Sequence, residues 1–393
     1  MKHLGWKRTA AFGVAAAVLA GVVWGWPRPV SPIIPPPRRQ PGAYAWLSVS
    51  DGHIVDPEDR TVLLRGFNVD NLTDARDDEL GPPTPLDDRD AQLMQQAGFN
   101  SVRLPFAWSL LEPRRGAFDN GYLAKIVATV RLLERHHLRV ILDMHFGQAW
   151  GPSADVPLWA SLDWVPDFRP VQGKQWNATI STRNAASYTY FWTTKDWQAD
   201  LAQAWRLVAS QFRGDPGVVG YDIYNEAHPL PIPPGLFGAR FLFPFYAHMI
   251  SSIATVDPNH LFFVESTLFV GLATTVEPIL ARNIVYSPHL YAGSLDNLPF
   301  QKATPSLIGS RVRMRVGEGR TVGGALWFGE LGVDRQHGGA GALENSYLNS
   351  IEAQHAGWSW WEWRADGGWG IRDVAGNHID LAALRRLARP YLT

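Results

Sequence analysis

Cysteine is absent from the 393 residues of this chain, and net charge is nearly absent as well. Without cysteine, disulfide bonds, thiolate nucleophiles and cysteine-ligated metals are excluded. The net charge of −1 balances 36 Lys and Arg against 37 Asp and Glu. Because no positive excess is available to neutralise a row of phosphates, we expect no nucleic-acid partner.

Several motifs of other enzyme classes are missing too. The sequence has no Gly-x-Ser-x-Gly elbow of a serine hydrolase and no Gly-x-x-x-x-Gly-Lys-Ser/Thr phosphate loop. It also has no His-x-His or His-Glu-x-x-His pair that would offer metal ligands at short spacing. We therefore expect no metal and no cofactor, and a metal-dependent barrel hydrolase is the weaker interpretation.

The first 42 residues are predicted to lie outside the folded domain. Residues 1–26 combine a basic start with an apolar stretch, which is typical of a signal peptide or a membrane anchor. Residues 27–42 contain seven prolines and predict an extended linker. We expect an exported protein, extracellular or anchored to the outer face of the cytoplasmic membrane, with a catalytic domain over residues 43–393.

Apolar runs alternate with amphipathic segments through that domain. Eight runs are interpreted as strands: Leu63–Val69, Ser101–Phe106, Arg139–His145, Val218–Glu226, His260–Glu265, Ile284–His289, Gly324–Glu330 and Gly357–Trp363. The helical patterns cover Asp88–Ala97, Asn120–His137, Lys195–Phe212, Phe245–Val256, Thr304–Val316, Gly341–Gln354 and Leu381–Leu392. This alternation predicts a single (β/α)8 barrel of the α/β class. A short hairpin that pairs Leu47–Val49 with Thr61–Leu64 is expected to close its bottom.

Two of these strands end in a way that packing does not explain. Val218–Glu226 has no alternation, which is typical of a strand buried on both faces, yet it ends in an amide and a carboxylic acid. Gly324–Glu330 ends in a lone carboxylate. In a parallel barrel both ends lie on one face, so Glu226 and Glu330 should face each other across a cleft. Two carboxyls about 5 to 5.5 Å apart suit a retaining glycosidase.

Chemical roles can be assigned on that basis. Glu330 is predicted to be the nucleophile, kept ionised by Arg103 and Tyr291. Glu226 is predicted to donate a proton to the leaving group and then to act as a base towards water. Asn225 is suited to hydrogen-bonding a sugar 2-hydroxyl.

Further polar and aromatic residues end the other predicted strands. His145 and His289 are either site residues or hydrogen-bonded core histidines, and Glu265 is expected to be a sugar-binding or structural carboxylate. Trp361 and Trp363 both end the last strand. The 18 tryptophans of the chain are explained equally well by core packing and, in loops, by sugar stacking.

Two connections are predicted to be long loops. They follow the third strand, over Phe146–Thr194, and the fourth, over Ala227–Gly238. Both are rich in aromatic or aliphatic residues, which argues that they are ordered.

The motifs together resemble glycoside hydrolase family 5, in the clan of retaining (β/α)8 glycosidases. The matching pieces run in the family's order over about residues 60 to 385: Asn100–Pro105, Leu142–His145, Tyr224–Glu226, Pro288–Tyr291, Phe328–Glu330 and Trp358–Trp363. The resemblance implies that Glu226 is the acid/base and Glu330 the nucleophile. It also implies a −1 subsite lined by Arg103, His145, Asn225, His289, Tyr291 and Trp361, with Trp363 as the alternative platform on the eighth strand.

Within the family, some stretches are similar to the endoglycoceramidase-like branch, whose members cleave the bond between a glycan and ceramide. These stretches are Gly98–Leu104, Leu111–Pro113, Tyr122–Leu123, Asp143–His145, Pro244–Tyr246 and Val256–Pro258. The resemblance implies an apolar subsite at Leu230, Ile232, Leu236, Phe237 and Phe241. The chain departs from the branch after His145, where Phe-Gly-Gln replaces the usual Gln-Asp, and we expect no C-terminal β-sandwich. The expected substrate is a glycolipid or a β-glucan, and a non-catalytic carbohydrate-binding barrel is the alternative from another class.

Overall fold

Eight parallel strands form a closed barrel at the centre of the molecule. The computed structural model describes residues 44–73, 84–146, 155–166, 182–229, 232–267, 275–291 and 303–389. The expected export segment and proline-rich linker lie outside these described residues. Among the described helices, none combines the length and the apolar character needed to cross a membrane.

The order of the strands confirms the predicted (β/α)8 architecture. A two-stranded sheet, β1 (Ser48–Ser50) and β2 (His53–Val55), precedes the barrel. The barrel strands are β3 (Arg65–Asn68), β4 (Ser101–Ala107), β5 (Arg139–His145), β6 (Val218–Asp222), β7 (Leu261–Val264), β8 (Ile284–Tyr286), β9 (Ala325–Leu331) and β10 (Gly357–Trp360). Each strand pairs in parallel with its neighbours in sequence, and β10 returns to pair with β3.

Helices pack around the outside of the barrel. They are α1 (Asp88–Gln96), α2 (Trp108–Leu111), α3 (Asn120–Arg135), α4 (Thr182–Thr194), α5 (Asp196–Phe212), α6 (Pro234–Phe237), α7 (Phe243–Ala254), α8 (Pro305–Val322), α9 (Ala340–Glu352) and α10 (Leu381–Ala388). A 3-10 helix covers Leu158–Ala160 and a π-helical turn covers Gly238–Leu242. Aspartate side chains cap the N-termini of several helices. The side chain of Asp119 accepts the N–H of Tyr122 at the start of α3, and that of Asp380 accepts the N–H of Ala383 at the start of α10.

The hairpin below the barrel is present, but its predicted pairing is wrong. The strand β1 pairs antiparallel with β2, not with residues 61–64. Asp51 and Gly52, between β1 and β2, have φ of 47° and 76°, which suits a two-residue turn. Such a turn makes β2, which follows it directly, the partner of β1. Thr61 makes only an isolated bridge to Val55.

Two other boundaries differ from the prediction for local reasons. The connection after β5 contains α4, whose buried residues Asn184, Ser187, Tyr188 and Phe191 recur at helical spacing. The long apolar run after α5 leaves the barrel ladder at Asp222, four residues before Glu226. The peptide N–H of Asn225 still reaches the carbonyl of Met144 at 3.3 Å, so the segment stays against β5 as it turns into the site.

The N-terminal end of the barrel is filled by an apolar cluster. Its members are Leu47, Ile54, Leu64, Ile141, Val219, Leu261, Phe263, Val285, Ala325 and Trp327. Leu47 and Ile54 come from the hairpin region, so the hairpin closes this end, as predicted. Polar side chains lie at the opposite, C-terminal end of the same strands.

Candidate active site

Arg103, on β4, lies at the centre of the C-terminal end of the barrel and is fully buried. Its guanidinium donates to five side chains on or just after four other strands: Asn68 (3.1 Å), Asp222 (2.8 Å), Asn225 (2.9 Å), Glu265 (3.0 Å) and Glu330 (2.6 Å). A further ion pair joins it to Asp143 at 3.1 Å. A planar guanidinium with five donors suits such a position, where a lysine could not satisfy every partner.

The two predicted catalytic carboxylates lie close together beside this arginine. One oxygen of Glu226, one of Glu330 and a ring nitrogen of His289 all lie within 4.8 Å of one another. Glu330 accepts hydrogen bonds from Arg103 and from the hydroxyl of Tyr291, the latter at 2.9 Å. The side chain of Glu226 is 12% exposed and lies 2.8 Å from Nδ1 of His289. Two carboxyl groups this close can both reach one bond of a bound molecule.

The surroundings shift the pKa values of the two glutamates in opposite directions. Burial raises the pKa of Glu226, and the nearby charges of Glu330 and Glu265 add to that rise, while His289 offsets only part of it. Burial also acts to raise the pKa of Glu330, but the positive charges of His289, Arg103 and His145 and the bond from Tyr291 outweigh it and lower the pKa. The pKa of Glu226 is thus raised and that of Glu330 lowered, and these are the directions that an acid and a nucleophile need.

His289 lies between the two glutamates. Its Nδ1 is 2.8 Å from Glu226 and 3.4 Å from Glu330, and its Nε2 is 3.2 Å from Glu265. Burial lowers the pKa of His289, but the surrounding carboxylates raise it well above the ordinary value. This histidine is buried and also contacts both predicted catalytic groups.

His145 forms one wall of the site at the end of β5. Its Nδ1 lies 2.8 Å from Asp143, and its ring stacks on Trp361 with centroids 5.7 Å apart and planes 11° apart. Burial lowers the pKa of His145, yet Asp143 and more distant carboxylates raise it to about 10. A positive charge is therefore held next to the predicted sugar subsite.

The two tryptophans after β10 are separated by the fold. Trp361 stacks on His145, whereas Trp363 is fully buried and donates its indole N–H to Asp90 on α1 at 2.8 Å. The structure thus places Trp363 in the core and not in the site. The pairing of β10 with β9 shifts register between Trp358 and Trp360, and the strand ends there, so simple alternation does not continue to these residues.

Asn225 and Glu265 hold the segment that carries Glu226. The amide of Asn225 accepts from Arg103 and donates to the carbonyl of Phe146 at 2.9 Å. One oxygen of Glu265 accepts the peptide N–H of Glu226 at 2.7 Å. Glu226 itself has φ of 47°, in the left-handed region that most side chains avoid. Both contacts therefore fix a strained backbone at the predicted acid.

Sequence reasoning missed the residues that surround Arg103 from below. Asn68, Asp143 and Asp222 are fully buried and contact it directly. Burial raises the pKa of Asp222 well above its ordinary value despite the nearby guanidinium. The sequence did contain a signal for Asp222, because a carboxylate inside an apolar strand such as β6 requires a buried partner.

Two groups of side chains in the described part of the chain have donor atoms close enough for a metal ion. They are Glu226, His289 and Glu330, and Asp143, Asp222 and Glu265. In the second group the guanidinium of Arg103 already lies against all three carboxylates. In the first, His289 lies between the carboxylates of Glu226 and Glu330.

The aromatic residues of the connections are divided between core and surface. Tyr188, Trp192 and Phe237 are buried, and Trp192 packs edge-on against Phe237 with centroids 4.8 Å apart. Trp164 is 77% exposed and Leu236 is 47% exposed. Of the predicted apolar subsite, Phe237 is therefore a packing residue, and Leu230 lies outside the described residues.

Comparisons with known proteins identify the family of this chain. A family model described as Cellulase (glycosyl hydrolase family 5) matches residues 55–367. Endoglycoceramidase I of Rhodococcus hoagii (strain 103S) is 30% identical over 203 residues, which cover 50% of this chain and 38% of that protein. The chain thus matches well under half the length of this curated relative.

Two solved structures resemble most of the chain. A crystal structure of endogalactoceramidase has a TM-score of 0.77 at 29% identity and covers 88% of this chain and 85% of its own. Endo-glycoceramidase II from Rhodococcus sp., solved as a lactosyl-enzyme intermediate, has a TM-score of 0.73 at 25% identity, with 85% and 80% covered. Since the family model spans most of the sequence, this protein belongs to glycosyl hydrolase family 5.

Proposed function

We propose that this protein is a retaining β-glycosidase that cleaves glycolipids by double displacement. The observation that carries the proposal is the pair Glu226 and Glu330, whose oxygens lie within 4.8 Å of each other and of His289 and whose pKa values are shifted in opposite directions. This short separation favours the arrangement of retaining enzymes, whose carboxyls lie about 5 to 5.5 Å apart, over that of inverting enzymes, whose carboxyls lie about 6.5 to 9.5 Å apart.

The reaction takes two steps. In the first, the ionised carboxylate of Glu330 attacks the anomeric carbon while protonated Glu226 gives its proton to the leaving oxygen, so that a glycosyl ester forms and the aglycone departs as an alcohol. In the second, Glu226 removes a proton from water, the water oxygen attacks the same carbon, and Glu330 leaves as a carboxylate. Two inversions give net retention at the anomeric carbon.

The charges around Glu330 support its role in this scheme. Arg103 and the hydroxyl of Tyr291 each donate to one of its oxygens, so the ionised form is stabilised before the substrate arrives. As the glycosyl ester forms, the negative charge on Glu330 is lost and the same donors favour its return. His145 and Trp361 supply a flat, partly charged wall against which a sugar ring can stack.

The glycolipid substrate is supported by the relatives and by one segment of this chain. The endoglycoceramidase of Rhodococcus hoagii and the endogalactoceramidase carry names that refer to ceramide glycans. After Glu226, the segment over residues 232–241 has Leu236 exposed and Ile232 and Phe241 half-buried. We propose that this segment, on the same face as the site, contacts the apolar aglycone.

A β-glucan is the second candidate substrate. The description of the matching family model, Cellulase, favours it. A non-catalytic carbohydrate-binding barrel is disfavoured, because a binding protein has no need of two close carboxylates with opposed pKa shifts.

Product analysis separates the candidates. The full-length protein in detergent is offered a glycosylceramide and a soluble β-1,4-glucan in parallel, with Glu226→Gln as the inactive control. Intact glycan plus ceramide is the expected result. Shortened glucans without ceramide release would make the protein an endoglucanase. No turnover of either substrate or of a panel of aryl β-glycosides would reject the proposal.

We also propose that residues 1–26 export the protein and either are removed or hold it at the outer face of the cytoplasmic membrane. The support is the sequence pattern of a basic start and an apolar stretch. A fusion of residues 1–42 to alkaline phosphatase, which is active only after export, should be active in cells. An inactive but intact fusion would reject export.

A further inference from the structure

Glu265 is buried immediately after β7 and divides its two oxygens among three site residues. Oε2 accepts the peptide N–H of Glu226 at 2.7 Å. Oε1 accepts from Nη2 of Arg103 at 3.0 Å and lies 3.2 Å from Nε2 of His289. One carboxylate therefore contacts the backbone of the proposed acid, the arginine that holds the nucleophile, and the histidine between them.

The contact with Glu226 constrains the acid directly. Because Glu226 has a left-handed backbone, its peptide would relax to a commoner conformation without an external partner. A hydrogen bond from an N–H to an ionised carboxylate is stronger than one to a neutral oxygen, so Glu265 is a suitable partner. The peptide N–H of Glu265 points to the hydroxyl of Tyr246 at 3.2 Å, which holds Glu265 in turn against α7.

The contact with His289 controls the proton on that ring. Three charged groups face His289 in the described structure: Glu226 and Glu330 at Nδ1, and Glu265 at Nε2. Arg103 forms ion pairs with Glu330 and Glu265. A carboxylate within ion-pair distance of each ring nitrogen favours the imidazolium form of His289. Removal of the charge at Nε2 would leave His289 buried with less compensation, and it would lose its proton more readily.

We propose that Glu265 is a positioning residue that holds Glu226 in its proton-donating geometry and keeps His289 protonated between the two catalytic glutamates. Glu265 is buried with both oxygens on these residues, and it acts through them. The proposal rests on the proposed glycosidase function, but its test below has one readout that is independent of turnover.

The first readout is the dependence on the leaving group. Glu265→Gln keeps the shape of the side chain and removes its charge. We expect kcat/KM to fall about 100-fold on an alkyl β-glycoside, whose departure needs a proton from Glu226, and about fivefold or less on a dinitrophenyl β-glycoside, whose departure does not. The matched control is Glu318→Gln, because Glu318 is also a largely buried glutamate but pairs with Arg315 and Tyr286 away from the site. Any loss it causes should be equal on both substrates.

The second readout is the titration of His289, followed by nitrogen-15 NMR of labelled histidine and assigned with a His289→Asn variant. In Glu265→Gln the midpoint of His289 should fall by about one pH unit or more relative to the parent, while Glu318→Gln leaves it unchanged. Glu265→Asp keeps the charge and should restore most of the shift.

Equal losses on both glycosides, or an unchanged midpoint for His289, would overturn the proposal and leave Glu265 as a packing residue. If the parent protein hydrolyses neither glycoside, the proposed function fails. The titration of His289 then still decides whether Glu265 controls its proton.

Discussion

The two ends of the barrel are built from the same eight strands and differ in chemistry. The N-terminal end is an apolar cluster closed by the hairpin. At the C-terminal end, Arg103 pairs directly with four carboxylates, and His145 and His289 each pair with one of these. On β7, Leu261 belongs to the first end, and Glu265 directly follows the strand at the second.

This contrast teaches that position along a strand decides what a side chain does. Apolar burial at one end stabilises the fold by roughly 1.5 to 3 kcal/mol for each fully buried Leu or Val. Burying charges at the other end is costly unless every one is paired, and the network around Arg103 provides those pairs. Substitutions at the charged end should therefore change rates, and substitutions at the apolar end should change stability.

The largest effect is expected for Glu330→Ala. Loss of the nucleophile should lower kcat/KM on an aryl β-glycoside by about 10⁴-fold or more. Added azide can occupy the vacated space and attack the sugar directly, so activity should return in part with an α-glycosyl azide as product. NMR of the product gives its configuration. Failure of azide to rescue a folded variant would count against the role of Glu330.

Glu226→Gln is expected to be next, with a loss of about 10³-fold on substrates with poor leaving groups. It should also change the pH profile. In the parent, kcat/KM should fall at low pH as Glu330, whose pKa is lowered, becomes protonated. It should also fall at high pH as Glu226, whose pKa is raised, loses its proton. Because an amide does not titrate, the alkaline fall should disappear in the variant. An alkaline limb that persists unchanged would assign it to another group.

Trp361→Ala should have a moderate effect. The variant would lose the aromatic ring that stacks on His145. An aromatic contact of this kind contributes about 0.5 to 1.5 kcal/mol to binding. KM should therefore rise about three- to tenfold, with kcat less affected. Trp363→Phe is the control, since Trp363 lies in the core, where it packs against Phe67 and donates to Asp90. Steady-state kinetics distinguish the two, and a KM effect for Trp363→Phe equal to that of Trp361→Ala would refute the separation.

The smallest effect on activity is expected for Leu261→Ala at the apolar end. The cavity should lower the free energy of unfolding by about 2 to 5 kcal/mol, measured by urea denaturation. The kcat/KM of the folded variant should stay within about twofold of the parent, because no charge in the site moves. A loss of activity comparable to that of Glu265→Gln would show that the two ends are coupled.

Much of the barrel could be predicted from the sequence because a buried parallel strand leaves a continuous apolar run. The same logic located Glu226 and Glu330, since each ends such a run with a carboxylate. It worked less well where local geometry takes over. The turn at Asp51 and Gly52 chose the partner of β1, and this depends on backbone angles that a hydrophobic pattern does not contain.

The side-chain positions in the site that the sequence did not predict have a common cause. Trp361 and Trp363 follow the end of β10, so alternation does not tell which one faces His145. Glu265 was recognised as a strand-end carboxylate, but its partners, His289 and the peptide of Glu226, come from distant parts of the chain. Such contacts between strand ends depend on the closed barrel and its register.

The stereochemistry of hydrolysis tests the central claim most directly. Proton NMR follows the first anomer released from an aryl β-glycoside before mutarotation mixes the two forms. Two displacements by way of Glu330 predict that the β-anomer appears first. Initial release of the α-anomer would mean a single displacement by water and would contradict the assignment of Glu330 as nucleophile.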